Sequence, residues 1–231
     1  MHYTKIGIIV AMNSEFTLVS ELLTEVKQAQ FKHLHFSTGK IGNKEIVLLK
    51  SGIGKVNAAI ATTSMIQEFA PDCIINTGVA GGIDKRLHVA DIVVGQKTSY
   101  HDFYAGEVQN HQAELGFPDE IAADKDLLAA LKSKLRYDKK FSFGLICTGD
   151  QFITNNDELM LIKKKRPCGL AVDMESNSIA QVCFYHKVPF ISFRIISDTP
   201  WVDNHQQQYD NFWEEAPQKT FQLLNILIAE L

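Results

Sequence analysis

The sequence predicts an α/β domain built on a largely parallel or mixed sheet covered on both faces. Three observations lead there. Apolar, β-branched runs recur at residues 6–10, 46–49, 73–76, 92–94, 143–147, 170–172 and 190–196. Most of them lack strict alternation of polar and apolar residues, which marks strands buried on both faces. Helix-like segments separate several of the runs, and strands alternating with helices favour parallel pairing. A length of 231 residues fits one such domain. No repeat, low-complexity tract or linker rich in Pro, Gly or Ser divides it.

The first helix is expected over 15–26, where Phe16, Val19, Leu22, Leu23 and Val26 share one stripe and Asn13 or Ser14 can cap the first turn. A second, over 56–69, follows a glycine turn and is stopped by Pro71. A third spans 176–185 after the strand ending at Met174, and an apolar helix over 212–231 closes the chain. Residues 101–124 contain Gly106, Gly116, Pro118 and many polar side chains, and read as a long loop of the kind that often carries function.

Composition excludes several classes. A net charge of −4 with no arginine-rich stretch argues against nucleic acid as a partner. The densest basic run, Lys163-Lys164-Lys165-Arg166, reads as a solvated helix end. The apolar run after Met1 is too short for a signal-peptide core, and none later reaches membrane length. No membrane partner is expected, and a cytoplasmic location is. Cys73, Cys147, Cys168 and Cys183 form no C-x-x-C pair, which suits reduced thiols. His33 and His35 share a strand face but lack a third ligand at a familiar spacing, so no metal is expected.

Chemistry concentrates where the apolar runs end, since ligands of α/β sheets gather at strand carboxyl ends. Glu15 lies just past the first run, either as a reactive carboxylate or as an exposed residue favoured by the helix dipole. Ser51-Gly52-Ile53-Gly54-Lys55 is a glycine turn. It matches neither the ATP nor the dinucleotide fingerprint, so it serves either a ligand's close approach or a tight turn alone. Asn76-Thr77-Gly78-Val79-Ala80-Gly81-Gly82 also lets something near the backbone. In Thr148-Gly149-Asp150-Gln151-Phe152-Ile153, Phe152 can stack on a flat ring or pack in the core. Glu175, in Asp173-Met174-Glu175, can accept hydrogen bonds from a vicinal diol or cap a helix. Arg194 interrupts the apolar run 190–196. A buried guanidinium must find acidic partners, with Glu15 and Glu175 the obvious ones. Asp198, at that strand's end before Thr199-Pro200, is placed for a raised pKa and an acid's role.

Taken in order, these six segments resemble the bacterial 5′-methylthioadenosine/S-adenosylhomocysteine nucleosidases of the purine nucleoside phosphorylase superfamily, almost end to end. The resemblance implies a three-layer α/β/α sandwich around a mixed, barrel-like sheet. It implies a small adenine-nucleoside substrate, no cofactor, and a homodimer whose neighbouring chain completes the 5′ pocket. Asp198 matches the acid that protonates adenine, and Glu15 the carboxylate that activates water. Met174 and Glu175 match the ribose contacts, Phe152 the stacking ring, and the Ile153 backbone the contact to the adenine edge. Arg194 would help Glu15 and Glu175 hold the water, with Ile53 and Gly81 lining ribose and base. Val79, Ala80, Gln151, Asp173 and Ser197 complete the implied substrate-binding set, and Tyr209 and Phe212 would close over the 5′ substituent. Val79 stands where the family usually has Ser. The same core would serve a futalosine-type hydrolase, a phosphate-dependent phosphorylase or a non-catalytic nucleoside-binding module. Glu15 would repel phosphate, and Glu15 and Asp198 together favour hydrolysis.

Overall fold

The computed structural model describes residues 3–104, 116–135, 137–202, 204–215, 221, 223–229 and 231. Ten strands appear among them: β1 Lys5–Val10, β2 Thr24–Phe31, β3 Leu34–Ile41, β4 Lys44–Lys50, β5 Cys73–Gly82, β6 Ile92–Tyr100, β7 Ile121–Ala122, β8 Phe141–Thr148, β9 Gly169–Asp173 and β10 Phe190–Asp198. The helices are α1 Asn13–Ser20, α2 Lys55–Phe69, α3 Lys125–Leu135, α4 Asn156–Lys165, α5 Ser176–His186, α6 His205–Glu215 and α7 Leu223–Ala229.

The strands form one mixed sheet in the order β10-β6-β8-β9-β5-β1-β4-β3-β2, with β7 hydrogen-bonded to β6. An additional pairing of β10 with β5 closes five strands into a barrel. The other strands run out from β5 as an open wing. Side chains of β1 alternate between the two faces. Ile6, Ile8 and Val10 share a cluster with Val19 of α1, Leu127 and Leu131 of α3, Phe212 of α6, and Leu224, Leu227 and Ile228 of α7. Ile9 joins Ala58, Ala61 and Met65 of α2 and Ile179, Ala180 and Cys183 of α5 on the opposite face. Ala80, Val93, Ile146, Ala171 and Ile196 pack together, one from each of the five barrel strands. Helices on both faces of a mixed, barrel-like sheet are the three-layer sandwich that the sequence implied.

Several elements depart from the sequence reading. The helix expected over 15–26 ends at Ser20, and Val26 lies exposed on β2. Phe16, Val19, Leu22 and Leu23 do face the core, but the polar edge strand that follows carries no apolar run to read. β3 was missed with it. The first turn of α1 is capped by neither Asn13 nor Ser14. Instead Met12 is the cap residue, and the Glu15 carboxylate accepts the Ala11 and Met12 N–H groups. The segment Asn76–Gly82, read as following a strand, is the strand itself. Glycines suit such a stretch because β5 bends to pair with β10 and β9 around the barrel. The closing helix is two helices, with 216–220 outside the described residues. The loop over 101–124 contains β7, and 105–115 lie outside the described residues.

The basic run is not simply solvated. Lys163 donates to the Pro167 and Gly169 carbonyls, Lys165 to the His101 carbonyl, and Arg166 clamps Asp119 and the Tyr100 carbonyl. The end of α4 is thereby stapled to the chain leaving β6. Cys73, Cys147 and Cys183 are buried free thiols, and Cys168 is exposed. Among the described residues no helix is long and apolar enough to cross a membrane.

Ile8 is fully buried in β1 between the helices of one face, so truncation leaves a cavity that the surrounding sheet cannot close. Ile8→Ala should lower unfolding free energy by about 2–5 kcal/mol, read from a denaturant titration.

Candidate active site

The carboxyl ends of β1, β4, β8, β9 and β10 meet the bend of β5 around a cavity of about 340 Å³. All fifteen residues singled out from the sequence line it: Glu15, Ile53, Val79, Ala80, Gly81, Gln151, Phe152, Ile153, Asp173, Met174, Glu175, Arg194, Ser197, Asp198 and Tyr209. Ala11, Met12 and Val172 line it too and were missed, although each adjoins a residue that was named. Phe212 does not reach the cavity; it is buried in the core beneath α6.

Glu15 is only 1% exposed, so the reading of it as a solvated helix-end residue fails. Its Oε2 accepts the Ala11 and Met12 N–H groups, both at 2.9 Å, and its Oε1 accepts the Val79 N–H at 3.0 Å. Burial raises its pKa; Arg194 and the three backbone donors pull it part of the way back. Gly78, with φ +148°, makes room for this arrangement, because a Cβ there would overlap both the Glu15 carboxylate and the Arg194 guanidinium.

Arg194 is fully enclosed. Its direct ion-pair partners are Asp173 at 2.7 Å and Glu175 at 3.3 Å, rather than Glu15 and Glu175. Glu15 acts on it from across Gly78 without an ion pair. Asn76 Oδ1 accepts from Arg194 Nη2 at 2.6 Å, and the Ser176 hydroxyl accepts from Nε at 3.2 Å. The side chain of Asp173 is committed internally, since it also accepts from Thr148 Oγ1 at 2.6 Å and from Ser176 N at 3.2 Å. It lines the cavity while its carboxylate takes the first N–H of α5; Glu175 occupies the cap position, as considered from the sequence, but its side chain makes no capping bond. Asn76 and Ser176 gave no separate signal in the sequence.

Glu175 is held differently. Its Oε1 accepts the Gly54 N–H at 2.9 Å, so the glycine turn grips a carboxylate instead of cradling a phosphate. Gly52 and Gly54, with φ +84° and +96°, supply that turn. Burial raises the Glu175 pKa to about 7, against the opposing pull of Arg194.

Asp198 sits at the other end. Its Oδ1 accepts the Ser197 hydroxyl at 2.7 Å, while Oδ2 is buried with no partner among the described residues. Burial raises its pKa, partly offset by the Ser197 hydrogen bond and by His205. Arg194 lies opposite Gly78 and Asp198 opposite Gly81 in the β10–β5 register. Three strand residues therefore separate the Glu15 end from Asp198, roughly 10 Å at the rise of an extended chain. Phe152, 44% exposed, meets Tyr209 edge-on at 5.6 Å between centroids and forms an aromatic wall. Tyr209 also reaches Met12 across the cavity, and Gln208 beside it accepts from the Thr199 N–H and hydroxyl.

Comparison with known proteins places this geometry. The Phosphorylase superfamily model matches residues 5–229. A 5′-methylthioadenosine/S-adenosylhomocysteine nucleosidase of Staphylococcus carnosus is 36% identical, over 98% of this chain and all of that one. The chain belongs to this nucleosidase family. Solved nucleosidases superpose on it over nearly the whole chain. The Streptococcus pneumoniae enzyme in complex with 8-aminoadenine gives a TM-score of 0.89 at 32% identity, covering 99% of this chain and 100% of that one. The Neisseria meningitidis enzyme in complex with methylthio-immucillin-A gives 0.87 at 34%, with the same coverage. A futalosine hydrolase of Helicobacter pylori is also similar, at 0.87 and 28% over 99% of each chain.

Gly78→Ala should push Glu15 and Arg194 apart and reduce nucleosidase turnover by at least about 100-fold while the far-ultraviolet spectrum stays unchanged. A second expectation concerns stability. A carboxyl whose folded pKa is raised contributes stability below its unfolded pKa and loses it as pH rises through the folded value. Asp198→Asn should therefore raise the melting temperature by a few degrees at pH 8, and this gain should vanish at pH 4.

Proposed function

We propose that the protein hydrolyses the N-glycosidic bond of 5′-methylthioadenosine and S-adenosylhomocysteine, and of 5′-deoxyadenosine, releasing adenine and the 5-substituted ribose. The observation that carries this reading is the pairing of two buried carboxyls at opposite ends of one cavity. Asp198 has an unpartnered oxygen and Glu15 is clamped by three backbone donors.

Adenine lies against Phe152 and the Ile153 backbone, with N7 at Asp198. Asp198 gives its proton to the ring as the glycosidic bond breaks and the bonding electrons pass to adenine. The sugar gains oxocarbenium character, as in glycoside hydrolysis generally. Glu175 and Met174 hold the ribose, and the diol contact strengthens as charge develops there. Glu15 accepts a proton from the water that attacks the anomeric carbon from the opposite face. The backbone N–H groups of Ala11, Met12 and Val79 hold that carboxylate in one orientation, so it enters the reaction already aimed.

Water is favoured over phosphate by charge. Arg194 is the only cation lining the cavity among the described residues, and two carboxylates already neutralise it. A phosphate would face Glu15, Asp173 and Glu175 without a compensating charge. A futalosine-type substrate is the second reading, favoured by the similarity to the Helicobacter pylori hydrolase.

A homodimer belongs to this proposal. Val56 and Ile60 of α2, Phe184 and Tyr185 of α5, and Phe103 and Tyr104 on the chain leaving β6 are exposed, and Val56 and Tyr185 border one surface depression together with Tyr100. An apolar surface of this kind marks an interface. A cytoplasmic site of action belongs to it too, supported by four free thiols. Sedimentation should give twice the chain mass, and an active monomer would contradict the dimer.

The deciding assay is adenine release from methylthioadenosine, S-adenosylhomocysteine and 5′-deoxyadenosine, with and without phosphate, and hypoxanthine release from futalosine. Phosphate-independent release from the adenine nucleosides is expected, whereas strict phosphate dependence would overturn the hydrolytic reading. Asp198→Asn and Glu15→Gln should each lower kcat by about 10²–10⁴-fold with little change in KM. The wild-type kcat/KM should be bell-shaped in pH. It rises as Glu15 ionises above its raised pKa and falls as Asp198 loses its proton above its own.

A further inference from the structure

One part of a substrate lacks a partner in the cavity. S-Adenosylhomocysteine ends in an α-amino carboxylate, whereas methylthioadenosine ends in a methyl group. Among the described residues the lining offers only Arg194 as a cation, already paired. Any counter-charge that this chain gives a tail carboxylate therefore lies outside the cavity.

With the base end at Asp198 and the ribose end at Glu175, the remaining side of the cavity is formed by Met12, Ile53 and Tyr209. In the nucleosidase reading a 5′ substituent points there. A second depression, of about 370 Å³, is lined by the chain neighbours of two of these residues, Asn13 and Gly52. Its other walls bring three basic side chains, His33, His35 and Lys50, and no acidic one.

Lys50 is well placed for an anion. It is the last residue of β4 and lies opposite Val10 in the parallel ladder, so its backbone is fixed at the strand ends where ligands collect. One ammonium proton goes to Asn13 Oδ1, which aims the side chain along the rim. Two donors are left. Among the described residues no carboxylate lies within ion-pair distance of it. His35 stands on β3, and His33 in the turn joining β2 to β3, both exposed beside it.

We propose that Lys50, with His33 and His35, forms a subsite for the carboxylate of an amino-acid tail at the 5′ position, so that this cluster sets the preference for S-adenosylhomocysteine over uncharged 5′-thioethers. This rests on the nucleosidase reading above.

The test compares S-adenosylhomocysteine with 5′-n-butylthioadenosine, whose tail has similar length and no charge. In Lys50→Met the ratio of kcat/KM for the charged to the uncharged nucleoside should fall about fivefold through KM, the scale of one partly exposed charge pair. Lys50→Arg should keep most of the ratio, and His35→Gln should lower it less than Lys50→Met does. An unchanged ratio in Lys50→Met, or an equal fall for both nucleosides, overturns the subsite. Wild-type release of adenine from the butyl compound but not from S-adenosylhomocysteine also overturns it, leaving the nucleosidase reading intact. Release from neither, nor from methylthioadenosine, overturns the nucleosidase reading and the subsite with it.

Discussion

Arg194 stands in the middle of β10 with 1% of its surface exposed, and burying a charge there costs several kcal/mol unless it is neutralised and hydrogen-bonded. The neutralisation comes from distant parts of the chain: Asp173 and Glu175 from the end of β9, Asn76 from β5 and Ser176 from the start of α5. Each partner is in turn held by another element, Asp173 by Thr148 of β8 and Glu175 by the Gly54 amide ahead of α2. One charge thus ties together most of the strand ends that surround the cavity. The network fixes Glu175 and leaves Glu15, across Gly78, under the field of the guanidinium without a direct bond to it.

Barrel closure sets the separation between the carboxyls of Glu15 and Asp198. β5 pairs with β1 along its first half and with β9 at its end, while β10 follows it throughout. The strand can do this because its second half is built from Gly and small residues. The same lack of side chains lets Glu15 sit against Gly78 and Asp198 against Gly81. Topology and chemistry use the same glycines. The two carboxyls are raised in pKa by the same cause, burial, yet are treated differently. Glu15 receives three donors that favour its charged form, and Asp198 keeps one oxygen without a partner. That difference suits the two carboxyls to the opposite parts proposed for them, base and acid.

Much of this was legible in the sequence, and the physics explains which part. Strands buried on both faces announce themselves as apolar runs, and polar residues placed just after such runs have few structural reasons to be there. Glu15, Glu175, Arg194 and Asp198 were found in this way, and the order of six short segments supplied the rest. Of the partners expected for Arg194, Glu175 holds and Glu15 is replaced by Asp173, which looks like a strand residue until β8 and α5 converge on it. Asn76 and Ser176 read as an ordinary strand residue and helix start. Phe212 was placed over the 5′ substituent by the resemblance alone; in the fold α6 divides, with Tyr209 at the cavity and Phe212 in the core. The pair β2 and β3 was missed because its outer strand is mostly polar and exposed.

That polarity has a use of its own. The barrel leaves no free edge at one end of the sheet, but β2 ends the other with backbone groups that no strand among the described residues pairs. Glu25, Lys27, Gln28 and Gln30 line this border, and charged or amide side chains on an unpaired strand discourage a second chain from extending the ladder. Self-association by strand addition is blocked where the sheet is open. The exposed apolar side chains Val56, Ile60 and Tyr185 lie instead on helices, away from that open edge.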